Sequence, residues 1–445
     1  SGTLGQVIKK LLPQGKTTVF KAQLRILPSV AFISAFLNNT PVVVIFAPII
    51  KHWAKSVKLP ATKFLIPLSY VTILGGICTL IGTSTNLVVH GMILEAGYEG
   101  FTMFELGKVG IFIAIAGIIY LFIFSKRLLP DARPDTAVPD EEVEEGEKLH
   151  RVEAVLGARF PGINKKLSDF NFQRHYGAEV KEIKTRNGQR YVDHLEDVVL
   201  REGDTLVVMA DDTFIPTWGE SSVFVLLTNG NDPDTSGKKK RWLALILLVL
   251  MIVGATVGEL PATKEMFPDI KLDMFFFVCI TTIIMAWTNI FPARKYTKYI
   301  SWDILITIAC AFAISKAMVN SGVADCVAGF IIGLSDDYGP HVLLAILFVI
   351  TNLFTELITN NAAAALAFPL ALSISAQLGV SPTPFFVVIC MAASASFSTP
   401  IGYQTNLIVQ GIGNYKFTDF VRIGLPLNII TFLISVILIP LIWNF

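Results

Sequence analysis

The sequence predicts an all-α, polytopic membrane protein that is built from two inverted repeats with re-entrant hairpins and unwound helices, and that carries a small cytoplasmic α/β insert. Three observations predict this fold class: an apolar composition, apolar stretches of membrane-spanning length and an internal repeat. Of the 445 residues, 53% are hydrophobic and 16% are charged, whereas soluble domains carry roughly 25% charged residues. The formal net charge of +1 excludes nucleic-acid binding driven by bulk positive charge.

A helix that spans a bilayer needs about 20 apolar residues, and several stretches approach this length. They are 64–82, 109–125, 242–260, 273–291, 302–319 and 423–443. Two further apolar stretches, 26–50 and 342–377, are each interrupted by a pair of asparagines. Polar interruptions of this kind are typical of re-entrant hairpins and unwound helices, which are tolerated where the backbone lines a buried or wet cavity.

Lys and Arg near the helix ends orient the chain, because cytoplasmic loops are enriched in them. The stretch 26–50 has such residues on both sides, namely Lys16, Lys21, Arg25, Lys51, Lys55 and Lys58. No Lys or Arg lies between Lys316 and Lys416, and Asp336-Asp337 precede the second interrupted stretch. We therefore expect the first hairpin to open to the cytoplasm and the second to open to the outside, which makes the repeats inverted.

An internal repeat supports this arrangement. Residues 82–91 line up with residues 402–411 at an offset of 320, and Asn39 lines up with Asn360 at an offset of 321. The predicted transmembrane repeats are 1–129 and 241–445.

The same alignment bears on the start of the chain, because it places Ser1 opposite Ser321 and two apolar helices precede Ser321. We therefore expect about 80 residues, carrying two helices of ~20 apolar residues each, to precede Ser1 in the complete membrane domain.

Each hairpin places a polar tip at mid-membrane depth. The tips read Asn38-Asn39-Thr40 and Thr359-Asn360-Asn361. An unpaired amide in hydrocarbon costs several kcal/mol, so these groups need protein, water or ligand partners. Helices that begin at such tips direct N–H groups and positive dipole ends into the cavity, which favours an anion. The alternative interpretation is that each Asn caps its half-helix and has no further role.

The unwound segments after Gly82 and Gly402 expose carbonyl oxygens beside the amides of Asn86 and Asn406. Oxygen-only ligand sets suit a hard cation such as Na⁺. Glu356 is the only acidic residue of the second hairpin, and we expect its carboxylate to hydrogen-bond loop backbone rather than to carry protons.

The segment between the repeats has a different composition. Residues 130–149 are acidic and contain prolines, as solvated linkers do, and residues 150–218 have the pattern of a small α/β domain. We expect strands at 151–156 and 178–183, a helix at 164–176, and two strands within 198–209 around a Glu-Gly-Asp turn. The basic residues 126–127 and 238–241 flank this segment and place it in the cytoplasm.

We expect this insert to be regulatory or dimer-associated, with a passive stabilising domain as the alternative. Its basic side chains are either sites for a nucleotide or other small anion, or ordinary solvated surface. They are Lys165, Lys166, Arg174, Lys181, Lys184 and Arg186.

The hairpin tips followed nine residues later by Pro, together with the Gly-Thr-x-x-Asn break, resemble the divalent anion/sodium symporter family of the ion-transporter superfamily. That family has Ser-Asn-Thr at each tip; here the first-position Ser is replaced in both tips and the last-position Thr in the second. The resemblance implies Na⁺ as the coupling ion without a prosthetic group, an elevator mechanism, a homodimer and a location in the plasma (bacterial inner) membrane with its lipids. It implies substrate binding by Asn38, Asn39, Thr40, Thr83, Thr359, Asn360, Asn361 and Thr405. It implies sodium ligation by Ser34, Asn39, Gly82 and Asn86 at one site, and by Thr355, Asn360, Gly402 and Asn406 at the other.

The insert resembles the TrkA-C (RCK-C) ligand-binding module through residues 167–177 and 200–206. Symporters with this insert are often assigned to uptake of sulfate or related oxyanions, so a sodium-coupled importer of a sulfate-like divalent anion is the favoured function.

The alternatives within the resemblance are a di- or tricarboxylate symporter, a sodium/proton antiporter and an arsenite carrier. An antiporter buries titratable acids at its site, which the Asn-rich tips argue against. A channel subunit requires a filter such as Thr-Val-Gly-Tyr-Gly, and residues 256–259 lack its aromatic residue and second Gly. The sequence shows no nucleophile–base constellation, which argues against an enzyme.

Overall fold

The computed structural model describes residues 3–13, 15, 17–131, 150–157, 159–185, 189–211, 214–218, 223–228, 238–258, 260–266, 272–290, 302–334 and 339–445. The predicted acidic linker 130–149 lies outside these ranges except for its first two residues, as do Asp336, Asp337 and Arg186.

The part of the chain before the insert is helical. Its helices are α1 (Thr3–Leu11), α2 (Val19–Ser34), α3 (Asn39–Ser56), α4 (Thr62–Gly76), α5 (Ser84–Glu95) and α6 (Gly107–Leu128). Helix α4 packs on α2 so closely that a Cβ at Gly75 would lie 2.1 Å from the carbonyl oxygen of Ala31. At the cytoplasmic end predicted for this repeat, the ammonium group of the buried Lys63 donates to the carbonyl oxygens of Lys126 and Leu129, and so closes the last turn of α6.

The insert is built on one antiparallel sheet with the strand order β3-β2-β4-β1-β5. Its elements are β1 (His150–Leu156), α7 (Phe172–Tyr176), β2 (Glu179–Lys184), β3 (Arg190–Tyr191), β4 (Thr205–Ala210), α8 (Phe214–Trp218) and β5 (Phe224–Thr228). Apolar side chains of the sheet and helices, with an aromatic cluster that includes Phe160, Tyr176 and Phe224, form a separate core. Because β5 pairs with β1, the sheet continues past residue 218.

Two details of the insert differ from expectation. The helix expected over 164–176 is confined to α7, and residues 198–201 form no strand of the sheet. The two segments instead pair with each other: Asn164 N–H donates to the carbonyl of Leu200, and Leu167 N–H donates to that of Val198. These contacts hold residues 164–167 in turns around an isolated bridge between Lys166 and Val199, which excludes a helix there. The predicted strands at 151–156 and 178–183 correspond to β1 and β2.

The part of the chain after the insert is again helical. Its helices are α9 (Lys238–Gly258), α10 (Pro261–Met266), α11 (Met274–Trp287), α12 (Trp302–Asn320), α13 (Val323–Leu334), α14 (Gly339–Leu357), α15 (Asn360–Leu378), α16 (Thr383–Ser394), α17 (Gln404–Gly413) and α18 (Phe417–Ile442). Within the described ranges, α6, α14, α15 and α18 are long and apolar enough to cross a membrane.

The outer face of α6 carries Ile111, Ile115, Ile119 and Ile123, all about half exposed. Their spacing of four residues places them along one side of the helix. An exposed apolar stripe of this length is typical of a surface in contact with lipid. The mostly helical architecture with a small sheet is that of a polytopic membrane protein.

All four predicted interruptions are breaks between helices. Helix α2 ends at Ser34 and α3 begins at Asn39, while α14 ends at Leu357 and α15 begins at Asn360. The wider breaks lie between α4 and α5 and between α16 and α17. Exposed side chains cap the two helices at the tips, because Asn38 accepts from the N–H of Thr40 and Thr359 accepts from the N–H of Ala362.

Candidate functional site

The first tip is a buried hydrogen-bonded pair. The Ser34 hydroxyl donates to Asn39 Oδ1 over 2.7 Å, and both side chains are fully buried. Asn39 Nδ2 donates over 2.6 Å to the hydroxyl of Tyr403, which lies in the break between α16 and α17. The amide of Asn39 is therefore fixed on both sides, with its oxygen towards the first repeat and its nitrogen towards the second.

Two glycines, Gly76 and Gly82, bring backbone carbonyls close to the amide of Asn39. A Cβ at Gly76 would lie 2.6 Å from Asn39 Oδ1 and 3.1 Å from the carbonyl oxygen of Gly82. A Cβ at Gly82 would in turn lie 2.5 Å from the carbonyl oxygen of Gly76 and 2.9 Å from that of Ala35. Only glycine permits this approach of backbone to side chain. The sequence-predicted residues Asn39 and Gly82 therefore belong to one cluster of oxygen atoms.

Asn86 contributes an unsatisfied acceptor in the first repeat. Its Nδ2 donates to the carbonyl oxygen of Thr79 over 2.9 Å, and Thr79 in turn donates to the carbonyl oxygen of Ala35 and accepts from the N–H of Gly82. Asn86 Oδ1 is buried and has no hydrogen-bond partner in the described part of the chain. A buried amide oxygen without a partner carries a desolvation cost of about 1–3 kcal/mol. Together with the neighbouring oxygens, it makes a donor set that fits Na⁺.

The second repeat brings three of its four predicted sodium ligands together. A Cβ at Gly402 would lie 2.2 Å from the carbonyl oxygen of Thr355 and 2.0 Å from the hydroxyl oxygen of Ser396. Ser396 also accepts from Asn406 Nδ2 through its carbonyl oxygen over 2.8 Å. The fourth, Asn360, donates from Nδ2 to the Thr85 hydroxyl of the first repeat over 2.7 Å, as Asn39 Nδ2 donates to Tyr403 at the first tip. Ser396 was not predicted from the sequence. Its hydroxyl oxygen lies beside Gly402, and its carbonyl oxygen accepts from Asn406.

The second cluster is more fully hydrogen-bonded than the first. The hydroxyl of Ser69 on α4 is 2.7 Å from Asn406 Oδ1 and 2.8 Å from the Thr405 hydroxyl. The equivalent oxygen of Asn86 has no such contact. The two predicted sites are therefore chemically different despite the sequence repeat, and nothing in the repeat pattern marked Ser69.

Each tip contacts the start of the broken helix of the other repeat. At the first tip, the Thr40 hydroxyl donates to Gln404 Oε1 over 3.3 Å, beside the contact of Asn39 with Tyr403. The hydroxyls of Tyr403 and Thr83 lie 3.0 Å apart.

At the second tip, Asn361 Oδ1 accepts from Ser84 over 3.3 Å and from Thr85 over 3.2 Å, and Asn360 also donates to Thr85. Sequence reasoning missed Tyr403, Gln404 and Thr85, although they lie inside the repeated Gly-x-x-Thr-Asn segments. Neutral hydroxyls and amides, together with four helix N-termini, form this region, which favours an anion over a cation at its centre.

Glu356 lies beside the second cluster. Its Oε1 accepts from the N–H of Ser398 over 2.8 Å, which confirms the expected hydrogen bond to loop backbone. It also accepts from Asn428 Nδ2 over 2.7 Å.

The insert contacts the two helices that begin at the first tip and at Gln404. Lys51 of α3 and Lys184 of β2 approach Glu153 of β1 at 3.1 and 3.4 Å. Burial alone raises the pKa of Glu153, but the two ammonium groups outweigh burial and lower this pKa to about 2. A Cβ at Gly411 of α17 would lie 2.5 Å from the hydroxyl oxygen of Thr205 in β4.

The family model described as "citrate transporter" matches residues 1–377 and 270–445, which together span the chain. The chain belongs to the citrate transporter family. The resemblance to sodium-coupled anion carriers of the ion-transporter superfamily is thereby confirmed, and the chain belongs to a family of transporters rather than enzymes.

Relatives of this citrate transporter family member include three of particular interest. An uncharacterized transporter from Synechocystis is 30% identical over 92% of this chain and 81% of its own length. Sodium/sulfate cotransporter 2 from Chlamydomonas reinhardtii is 30% identical over 63% of this chain and 31% of its own length. The sodium-dependent dicarboxylate transporter SdcS from Staphylococcus saprophyticus is 25% identical over 33% of this chain and 28% of its own length.

Proposed function

We propose that the protein is a sodium-coupled secondary transporter that imports a divalent anion, with a sulfate-like oxyanion as the favoured substrate. One observation carries the proposal: each polar tip is hydrogen-bonded to the start of the other repeat's broken helix, so that neutral donors and four helix N-termini from both repeats meet in one region. The similarity to a sodium/sulfate cotransporter supports it.

The anion would be held by hydrogen-bond donors rather than by a fixed positive charge. Hydroxyls and amides of Asn38, Asn39, Thr40, Thr83, Thr359, Asn360, Asn361 and Thr405 are the proposed substrate contacts. Sulfate carries hydrogen-bond acceptors only, and charge-assisted hydrogen bonds to it are stronger than neutral ones. Binding without Lys or Arg leaves part of the anionic charge unneutralised, and the coupling cations can neutralise it.

Sodium is the proposed partner of the anion in transport. One ion would bind the oxygens of Ser34, Asn39, Gly82 and Asn86. A second would bind those of Thr355, Asn360, Gly402 and Asn406. The first ion would satisfy the orphaned Asn86 Oδ1 and hold the first tip in place. Because each sodium would favour the same arrangement of the tips as the anion does, the two affinities are coupled.

The movement that carries the cargo is proposed to be of the elevator type, in which the tips and broken helices of both inverted repeats, 1–129 and 241–445, move together, in a homodimer in the plasma (bacterial inner) membrane. The contacts of Tyr403 with Asn39 and Thr83 favour joint movement of the tips as one body. Two inverted repeats around a midplane site are the usual architecture for alternating access.

The insert is proposed to be a cytoplasmic regulatory domain of the TrkA-C type. It contacts α3 and α17, whose N-termini lie at the site, so a small ligand that changes this contact would bias the carrier. Replacement of residues 135–236 by a short flexible linker tests this. A variant that transports but no longer responds to cytosolic ligands supports regulation, and unchanged kinetics under every ligand contradict it.

Uptake into proteoliposomes tests the transport proposal. Labelled sulfate and labelled succinate are each offered with an inward sodium gradient, with a matched potassium gradient, and with a sodium gradient dissipated by an ionophore. Sodium-dependent sulfate uptake supports the favoured substrate. Preference for succinate supports the dicarboxylate alternative, to which the similarity to SdcS gives weight. Proton release against sodium, or arsenite movement, would instead indicate the antiporter or arsenite-carrier alternatives.

A further inference from the structure

A half-buried carboxylate lies next to the second tip, and no described residue forms an ion pair with it. Glu356 is in the last turn of α14, and its Oε1 accepts from the N–H of Ser398 and from Asn428 Nδ2. Its Oε2 is buried and accepts no hydrogen bond from any described residue.

The neighbouring amide has the same deficit. Asn428 of α18 is 6% exposed, and its Nδ2 donates to both Glu356 Oε1 and, over 2.8 Å, the Ser398 hydroxyl oxygen. These two contacts fix which end of the amide faces Glu356. They leave Oδ1 buried and without a partner in the described ranges. One small cluster therefore contains two unpaired oxygen acceptors, one of them on a carboxylate.

The electrostatic environment of Glu356 favours a bound cation. Glu356 lies at the C-terminal end of its helix, where the dipole is negative and disfavours a second negative charge. No Lys, Arg or His among the described residues lies within ion-pair distance of it. An ionised carboxylate inside a membrane protein is costly unless it is paired. Two oxygen acceptors and one missing positive charge match the requirements of Na⁺.

We propose that Glu356 and Asn428, with the adjacent loop 396–399, form a third sodium site, separate from the clusters around Asn86 and Asn406. The inference rests on the proposed function, since it assigns a further coupling ion to that carrier. The loop ties the third site to the second cluster: the Thr399 hydroxyl donates to the carbonyl of Glu356, and Asn406 donates to the carbonyls of Ser396 and Thr399. Sodium at Glu356 would stiffen the loop on which the second sodium depends.

The test is the number of sodium ions bound and transported. The substitution Glu356→Gln keeps the shape and the Oε1 hydrogen bonds but removes the charge. In proteoliposomes with dual-isotope counting, it is expected to lower the sodium-to-anion ratio by one ion and to reduce the Hill coefficient for sodium. Glu95→Gln, at an exposed carboxylate near the end of α5, is the matched control and should change neither quantity.

A binding measurement separates the third site from the proposed function. Labelled sodium is titrated onto purified protein without anion, and Glu356→Gln is expected to bind one equivalent less than wild type. Asn428→Leu provides the same readout if the Gln variant does not fold. An unchanged sodium equivalence in the folded variants overturns the third site. If the wild type shows no sodium-dependent anion uptake, the proposed function is wrong. The sodium-binding measurement then still tests the third site.

Discussion

The hydroxyl of Tyr403 lies 2.6 Å from the side-chain nitrogen of Asn39, although 364 positions separate the two residues in the chain. The same hydroxyl lies 3.0 Å from that of Thr83. Tyr403 aligns in sequence with Thr83 at the offset of 320, and its longer side chain reaches the first tip. A single phenol therefore joins the first tip to both broken helices.

Removing this hydroxyl should weaken sodium coupling. Tyr403→Phe keeps the ring but leaves Asn39 Nδ2 buried without its acceptor, at a cost of about 1–3 kcal/mol. We expect an apparent sodium affinity roughly ten-fold lower, because 1.4 kcal/mol corresponds to a factor of ten. The apparent affinity is measured from the sodium dependence of anion uptake into proteoliposomes. Tyr98→Phe, at an exposed tyrosine, is the control, and equal affinities in the two variants would contradict the role of the bridge.

The two central asparagines should both be required for transport. Asn39→Ala removes an amide that accepts from Ser34 and donates to Tyr403, and Asn360→Ala removes the contact with Thr85. We expect each variant to lose sodium-dependent uptake while it still inserts into the membrane. The exposed Asn444→Ala is the control. Near-normal uptake by both single variants would remove the basis for placing the site here.

Glycine at position 76 should be a steric requirement of the first sodium cluster. A methyl group there would lie 2.6 Å from Asn39 Oδ1, closer than real Cβ atoms approach an oxygen. We expect Gly76→Ala to displace the amide and to lower the apparent sodium affinity about ten-fold or more. Gly91→Ala in α5 is the matched control, since its nearest new contact is 3.7 Å away. Comparable sodium affinities for the two variants would show that the cluster around Asn39 does not bind the ion.

Docking of the insert through Glu153 should be insensitive to pH in the physiological range. The folded-state pKa is lowered from 4.5 to about 2. The stabilisation is therefore fully present above about pH 4.5 and is lost as the pH falls through about 2. Limited proteolysis of the insert should consequently proceed at the same rate from pH 8 to pH 5.

Glu153→Gln should accelerate that proteolysis at every pH, because it removes the carboxylate that pairs with Lys51 and leaves Lys184 with only the longer 3.8 Å pair to Glu182. Glu179→Gln breaks an exposed pair with Lys181, which contributes about 0–1 kcal/mol, and should have little effect. A proteolysis rate that rises steeply between pH 7 and pH 5 in wild type would contradict the assignment.

The orientation of the chain can be decided by labelling. In a background without the five native cysteines, a single cysteine at Lys55 should react with an impermeant reagent only from the cytoplasm, and one at Phe445 only from outside. This outcome follows from the distribution of Lys and Arg around the two hairpins. Labelling of both positions from the same side would show that the repeats are not inverted.

The sequence predicted the helical class and all four helix breaks, because a broken apolar stretch and a repeated polar motif are local signals. The cap at Asn38 and the backbone contact of Glu356 were also expected from the sequence, whereas at the second tip the capping residue is Thr359 and not an Asn. Residues that contact another element carry no local signal. Ser69 lies inside a uniformly buried helix, and Ser396 lies in a loop without a counterpart in the aligned motif. The helix expected from residue 164 was wrong because pairing with residues 198–200 overrides local periodicity.

Lys63 anchors the point from which the chain leaves the first repeat, since its ammonium group holds the carbonyls of Lys126 and Leu129 and lies 3.2 Å from Asp131. The chain therefore leaves the first repeat from a fixed point, close to α3 and α17, the two helices that the insert contacts. Tethering of this kind gives an effective concentration on the order of millimolar. A contact with an intrinsic dissociation constant in the same range is then occupied about half of the time. The insert therefore needs only weak contacts with α3 and α17 to remain docked for much of the time.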